Sequence, residues 1–338
     1  MVKSANNMKE VAQKAGVSVS TVSRVLAGKT YISENTREMV ENAAKELNYR
    51  PNVMAKGLKL GRSNAIALMI PSIDNLMFPD IVRGVEDVAQ SHNFVVTLCN
   101  TDEDMNKEKL YMKKLSNMGV DGIVFATMRK NSDHVRSLHE EGFPIVLTSR
   151  NYDGKLDAVV INNLLSAYKG VSYLISRGYK NIAIALGDEE LPLYQKRLLG
   201  YKKALEEANI PYKEELVMRE VGTNDSFYPL TKDLLKNHPE VDCFFATNDI
   251  RAIIIIRALR DMGLRIPEDI GVMGFDDTQI SALVDPPLTT IHQPLYEIGA
   301  SAAKRLIFQI QHKQEKGNLA LPKIEILETE LIVRKSTK

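Results

Sequence analysis

From Ala65 onward the chain alternates short apolar runs with longer amphipathic stretches, and that alternation leaves few folds open to it. The runs are AIALMI (65–70), FVVTL (94–98), GIVFA (122–126), PIVLT (144–148), IAIAL (182–186), CFFA (243–246) and IGVMG (270–274). A strand with one wet face alternates in polarity, whereas a strand apolar at nearly every position is covered on both faces. Between the runs, stretches near 81–91, 107–118, 165–177, 196–208 and 249–262 carry apolar residues at helical spacing. The pattern predicts parallel sheets flanked by helices. Roughly 275 residues exceed what one core holds comfortably, so two α/β lobes are expected.

The first 62 residues break this pattern. They hold eleven Lys and Arg against five Asp and Glu, while the remainder holds 33 against 38. A basic head on a mildly acidic body points to a polyanion as the head's partner. Asn7 and Glu10 have the spacing of a reciprocal helix cap, and Val11, Ala12 and Ala15 give a short helix stopped at Gly16. Ser18 caps a second helix with Val22, Val25 and Leu26 on one side. A third helix runs from Glu34 to about Leu47 on a stripe of Met39, Val40, Ala43, Ala44 and Leu47.

Two short helices joined by a glycine turn and backed by a third form a helix-turn-helix, whose second helix enters the major groove. Val19, Ser20 and Arg24 then project outward, Arg24 to grip a guanine or a phosphate, while Ser18, Thr21 and Ser23 donate to phosphates. The same pattern also fits a small protein-binding helical module whose hydroxyls only cap. The segment YRPNVMAKGLKLGRS (49–63) follows. Its one or two turns from Asn52 to Leu58 fall short of the ~12 residues an isolated helix needs. Carrying Lys56, Lys59 and Arg62, it either folds against DNA with Leu58 as a minor-groove wedge or serves as a plain basic linker.

In parallel sheets ligands bind beyond the carboxyl ends of the strands. That rule selects Asn75 and Phe78, Ser149 and Arg150, Asn248 and Asp249, and Asp276 and Asp277, with Arg197 opening a helix after the loop GDEELPLYQK. Amides, carboxylates and arginine on one cleft suit a polyhydroxylated ligand, and Phe78 supplies an apolar wall; taken singly, such residues are more often caps and surface ion pairs than ligand contacts. No phosphate-cradling loop, dinucleotide fingerprint or zinc-protease motif occurs, and His134 and His139 are spaced to opposite helix faces. An enzyme is not expected, nor a cofactor or metal. Cys99 and Cys243 sit in apolar runs as core thiols, which suits a reducing compartment. No apolar run approaches the roughly eighteen residues of a membrane span, and MVKSANNMKE carries no hydrophobic signal core. A cytoplasmic protein is expected.

At this point the chain resembles the lac-repressor (LacI/GalR) family of bacterial transcription regulators. The likeness is carried by the head from MKEVAQKAG to NVMAKGL, by IPEDIGVMGFDD (266–277), by PPLTTIHQP (286–294) and by the terminal LIVRKST (331–337). The resemblance implies a helix-turn-helix headpiece (1–49), a hinge (50–62) and a periplasmic-binding-protein-like domain of two parallel-sheet lobes. The lobes would be 63–162 with 291–323, and 163–290 with 324–338, the chain crossing near Asn162, Thr290 and Lys323. It implies base reading by Val19, Ser20 and Arg24, with Ser18, Thr21 and Ser23 beside them. Asn52, Ala55 and Leu58 would contact DNA from the hinge. Phe78, Arg197, Asn248 and Asp276 would contact an effector, joined by Asn75, Ser149 and Arg150.

Two departures stand out. Ser149-Arg150 replaces the family's usual Asp-Arg pair, and Asn162 in VVINN replaces another acid, so a less acidic cleft would favour an anionic or phosphorylated effector. In NDIRAIIIIRALRDMG (248–263), Ile253 to Ile256 face every side of a helix, so one face needs a further cover. Arg251, Arg257 and Arg260 read as a rim around it, and the resemblance places Ile253, with Val284, at a subunit interface. The implied function is a homodimeric repressor. It would bind a pseudo-palindromic double-stranded operator and answer to a small molecule, a sugar or sugar derivative. The alternatives are a catabolite-control regulator answering to a phosphorylated carrier protein, for which DIVRGVEDVAQ (80–90) offers a helix, and a sugar-binding protein of the transport type.

Overall fold

The computed structural model describes residues 7–26, 31–49, 63–150, 154–220 and 223–338. They belong to two compact units, Met1–Ser63 and Asn64–Lys338. The expected hinge, with Asn52, Ala55 and Leu58, lies outside the described residues.

The head consists of α1 (Met8–Lys14), α2 (Val19–Leu26) and α3 (Glu34–Glu46). Asn7 Oδ1 accepts from the amides of Lys9 (2.9 Å) and Glu10 (3.1 Å), and its own amide donates to the Glu10 carboxylate (3.3 Å). Asn7 is thus the N-cap that the spacing predicts, with Glu10 answering to its side-chain amide. Gly16, at φ +65, takes the left-handed turn that ends α1. Val11, Ala12, Ala15, Val22, Val25, Val40, Ala43 and Ala44 form the core. Met39 is left exposed, contrary to the expected stripe. Positions 40, 43, 44 and 47 already complete an i, i+3, i+4, i+7 face, and Met39 falls beyond its edge.

The body begins with β1 (Ala65–Ile70), α4 (Phe78–Ser91), β2 (Val95–Asn100), α5 (Met105–Met118), β3 (Gly122–Phe125), α6 (Asp133–Glu140), β4 (Ile145–Thr148) and β5 (Asp157–Ile161). The chain then crosses into α7 (Asn163–Ser176), β6 (Ile182–Leu186), α8 (Pro192–Glu207), β7 (Val217–Arg219), α9 (Phe227–Asn237), β8 (Cys243–Ala246), α10 (Asp249–Asp261) and β9 (Gly271–Met273). It returns through β10 (Thr290–His292) to α11 (Leu295–Lys316) and β11 (Ile324–Leu327), and ends with β12 (Glu330–Ile332). One parallel sheet has the order β11-β5-β4-β3-β1-β2 and a second the order β7-β6-β8-β9; β10 and β12 pair antiparallel as a small third sheet.

β11 pairs with β5 from Ile324 to Leu327, so these residues belong to the first sheet. The third crossing therefore follows Leu327 instead of lying near Lys323. The buried carboxylate of Asp157 explains the shift: it accepts from the Lys323 amide (2.7 Å), Arg305 Nε (2.6 Å) and Gln309 Nε2 (2.5 Å). Those bonds hold the start of β11 and the middle of α11 to β5.

Helices cover both faces of each sheet, as continuous apolar strands require. α4 and α11 touch backbone to backbone, because a Cβ at Gly84 would strike the Tyr296 carbonyl and one at Gly299 the Ile81 carbonyl. Cys99 and Cys243 are buried, and burial pushes both thiols up, as core thiols require. No helix among the described residues is long and apolar enough to cross a membrane.

Candidate functional site

The head presents Val19, Ser20, Ser23 and Arg24 on one exposed flank of α2, while Val22 and Val25 turn into the core. The Ser18 hydroxyl accepts the Thr21 amide at 3.1 Å, capping α2, and lies 2.7 Å from Ser20 Oγ and 2.9 Å from Thr21 Oγ1. Ser18 therefore serves as a cap, and the hydroxyls beside it form a local chain. Arg24 and Ser23 stay exposed on the same flank.

In the body, the carboxyl ends of the strands from both sheets converge on a cavity of about 1050 Å³. Seven of the nine residues selected from the sequence line it, Asn75, Phe78, Ser149, Arg150, Arg197, Asn248 and Asp276, while Asp249 and Asp277 do not. Asn248 Oδ1 accepts the Arg251 amide at 2.8 Å as the cap of α10, and Asn75 Oδ1 accepts the Met77 amide at 3.2 Å. Each asparagine thus uses its carbonyl oxygen on the backbone and keeps its NH₂ to donate. Phe78, Ile161 and Ile298 give the wall its apolar part.

Arg197 and Asp276 are buried charges of the cavity wall. Arg197 lies in the second turn of α8, which begins five residues earlier at Pro192, so it does not open the helix as the sequence reading placed it. Its Nε donates to Asn163 Oδ1 (2.8 Å), its Nη1 to the Thr247 carbonyl (2.5 Å), and the guanidinium lies 3.5 Å from the Phe275 ring centroid. Asp276 Oδ1 stands 3.7 Å from Arg197 Nη1 and accepts Gln293 Nε2 at 2.6 Å. Burial pushes the Asp276 carboxyl up to about 7, against the pull of Arg197, and the neighbouring Asp249 adds to the rise. Burial likewise lowers Arg197 against the pull of Asp276. Asp276 at φ +113 and Ser149 at φ +62 hold backbone conformations that non-glycine residues rarely adopt, both at strand ends facing the cavity.

Other residues singled out with these have structural work. Asp249 does not line the cavity and accepts the Thr278 amide (2.8 Å), Ser281 Oγ (2.7 Å) and Thr290 Oγ1 (2.6 Å), fastening α10 to the segment after β9 and to β10. Asp277 pairs with His292 Nδ1 (3.0 Å) and Arg334 Nη2 (2.7 Å), which ties β10 to the chain after β12.

Comparison with known proteins agrees with both halves. Residues 63–328 match the family profile of periplasmic binding proteins and the sugar-binding domain of the LacI family, and residues 7–52 match that of lacI-family bacterial regulatory proteins. The HTH-type transcriptional regulator RegA of Clostridium saccharobutylicum is 36% identical, over 98% of this chain and 99% of its own. The chain belongs to the LacI family. It is a DNA-binding transcriptional regulator. Among solved LacI-like structures, the lac repressor dimer bound to operator and the anti-inducer ONPF superposes with a TM-score of 0.86, at 27% identity over 99% of each chain. The regulator CelR in complex with cellobiose gives 0.74, at 30% identity over 98% of this chain and 99% of that one.

For this LacI-family chain, sequence reasoning misplaced one residue and missed several. Arg251 is 3% exposed and lines the cavity, so it forms no rim around a surface patch. It sits one turn beyond the Asn248 cap, pairs with Glu220, and its guanidinium lies 4.8 Å from the Tyr194 ring centroid. Glu103, Arg129, Asp188 and Arg219 also line the cavity. Arg129 joins Glu103 (2.9 Å) on its own lobe to Asp188 (3.4 Å) on the other. Arg150 forks onto Glu103 at 2.5 and 3.1 Å, and Arg219 holds Glu189 at 2.5 Å. The cleft is not depleted in acid despite Ser149: eight Asp and Glu line it against five Arg.

Proposed function

We propose that this regulator acts as a cytoplasmic homodimer whose operator affinity is set by a polyhydroxylated small molecule, a sugar or sugar derivative, held between the lobes. The observation that carries the reading is a cavity lined from both sheets by amides, a carboxylate and buried arginines, in a chain that also bears a helix-turn-helix. Asn75 and Asn248 donate to ligand hydroxyls, Asp276 accepts from them, Arg197 donates, and Phe78 packs on a sugar face. Arg150 and Ser149 complete the wall.

Val19, Ser20 and Arg24 read base edges in the major groove, Ser18, Thr21 and Ser23 approach phosphates, and Asn52, Ala55 and Leu58 contact DNA from the segment after the head. Two heads meet a pseudo-palindromic site. Ligand binding draws the lobes together and shifts the dimer interface, so the spacing of the heads and the DNA affinity change together. In this reading Ile253 and Val284 lie at that interface. Ile255 and Ile256 of the isoleucine run are in the core and Ile254 lines the cavity, which leaves half-buried Ile253 as the surplus side; Leu283 beside Val284 is 81% exposed.

Selection of bound sequences from a random DNA pool, followed by anisotropy titration with and without a sugar panel, tests the reading. A palindromic consensus is expected, with Arg24→Ala weakening it by about 1–3 kcal/mol per half-site through the lost base contact. Recovery of no preferred sequence rejects the reading of α2. A shift in DNA affinity with a phosphorylated carrier protein and with no sugar rejects the cleft as the input.

A further inference from the structure

We infer that the cleft takes an uncharged ligand and discriminates against the phosphorylated or carboxylated form of the same molecule; this rests on the reading of the cleft as a sugar site. Five guanidiniums in a cavity look at first like an anion receptor. Each of them, however, is already engaged by the chain: Glu103 is shared by two, Glu189 and Glu220 hold one each, and Arg197 donates to Asn163 and the Thr247 carbonyl with Asp276 3.7 Å away. Among the described residues no lysine or histidine lines the cavity. The two short stretches outside the described residues nearest in sequence, 151–153 and 221–222, contain no cation either.

Three further acids, Asp74, Asp102 and Asp225, line the cavity without an arginine, so carboxylates outnumber guanidiniums even when Asp276 holds its proton. Asp102 has its partner, Lys107, outside the lining. An entering anion would lose its hydration, find the forks committed, and meet a net negative field concentrated between low-dielectric walls. A neutral polyol loses little on entry and is met by the uncommitted NH₂ groups of Asn75 and Asn248 and by a carboxylate acceptor. The arginines act here as braces for the acids, and the acids act as a charge filter.

Calorimetric titration of the full chain with mono- and disaccharides, each run beside its phosphate ester or uronate, tests this. In every pair that binds, the neutral member is expected to bind at least about tenfold more tightly. Glu220→Gln frees Arg251, and Glu189→Gln combined with Glu214→Gln frees Arg219, which holds both acids, so each variant should narrow the gap; the two serve as independent variants. A charged member that binds as tightly as its neutral partner overturns the inference and leaves the sugar site standing. An unchanged gap in both folded variants overturns the charge-filter argument. Binding by no member of any pair rejects the sugar reading, and this inference with it.

Discussion

Protonation of Asp276 makes ligand affinity depend on pH near neutrality, in a direction fixed by the geometry. Burial raises this carboxyl to about 7, from an ordinary value of 3.8. A ligand hydroxyl that donates to Asp276 favours the ionised form, so only that fraction of the protein is ready to bind. With a pKa near 7, about a tenth of the sites are ionised at about pH 6 and about nine tenths at about pH 8, so the apparent dissociation constant falls about tenfold across that range. The same shift acts on stability with the opposite sign. The folded pKa is raised, so the contribution of Asp276 is fully present below about pH 4 and is lost as pH rises through about 7. Calorimetric titration in two buffers of different ionisation enthalpy reads both the affinity and the proton released on binding. Equal affinity at both pH values, or the same pH dependence in Asp276→Asn, refutes the reasoning.

Ile253→Asp should sediment as a folded monomer and bind DNA weakly, since the lost burial of roughly 1.5–3 kcal/mol is counted twice across a twofold interface; a dimer of normal mass in analytical ultracentrifugation would make this side of α10 internal. Arg129→Gln and Asp188→Asn should each weaken ligand binding, with a coupling of about 0.2–1 kcal/mol in a double-mutant cycle because the pair is partly exposed; additive losses would show that the bridge between the lobes does not form. Gly84→Ala should destabilise the chain by at least about 1–3 kcal/mol in denaturant unfolding, as its Cβ has no room against the α11 backbone; an unchanged midpoint would refute that close approach.

What was legible in the sequence followed from how local the responsible physics is. β1, β6 and β8 match their apolar runs residue for residue, because burial on both faces leaves no polar position to blur the signal. β5 is harder to see: it opens on Asp157, a buried acid whose partners lie at 305, 309 and 323, far along the chain. The 22-residue α11 is also faint, since its contact with α4 is made by Gly299 and alanines, which carry little hydrophobic signal but permit backbones to touch.

The cleft divides in the same way. Its polar residues could be named because strand ends fix their positions, and Asn75, Arg150, Asn248 and Asp276 follow from one rule of parallel sheets. Its charge could not. Replacing one familiar acid by Ser149 suggests a cleft that has become more positive, but the sign depends on which acids the fold carries to the arginines. Glu220 reaches Arg251 from 31 residues away and Glu103 reaches Arg150 from 47. A single substitution in a motif therefore predicts the loss of one contact but not the field of the site. That field is a sum over side chains whose neighbours only the tertiary structure supplies, and here the sum is negative.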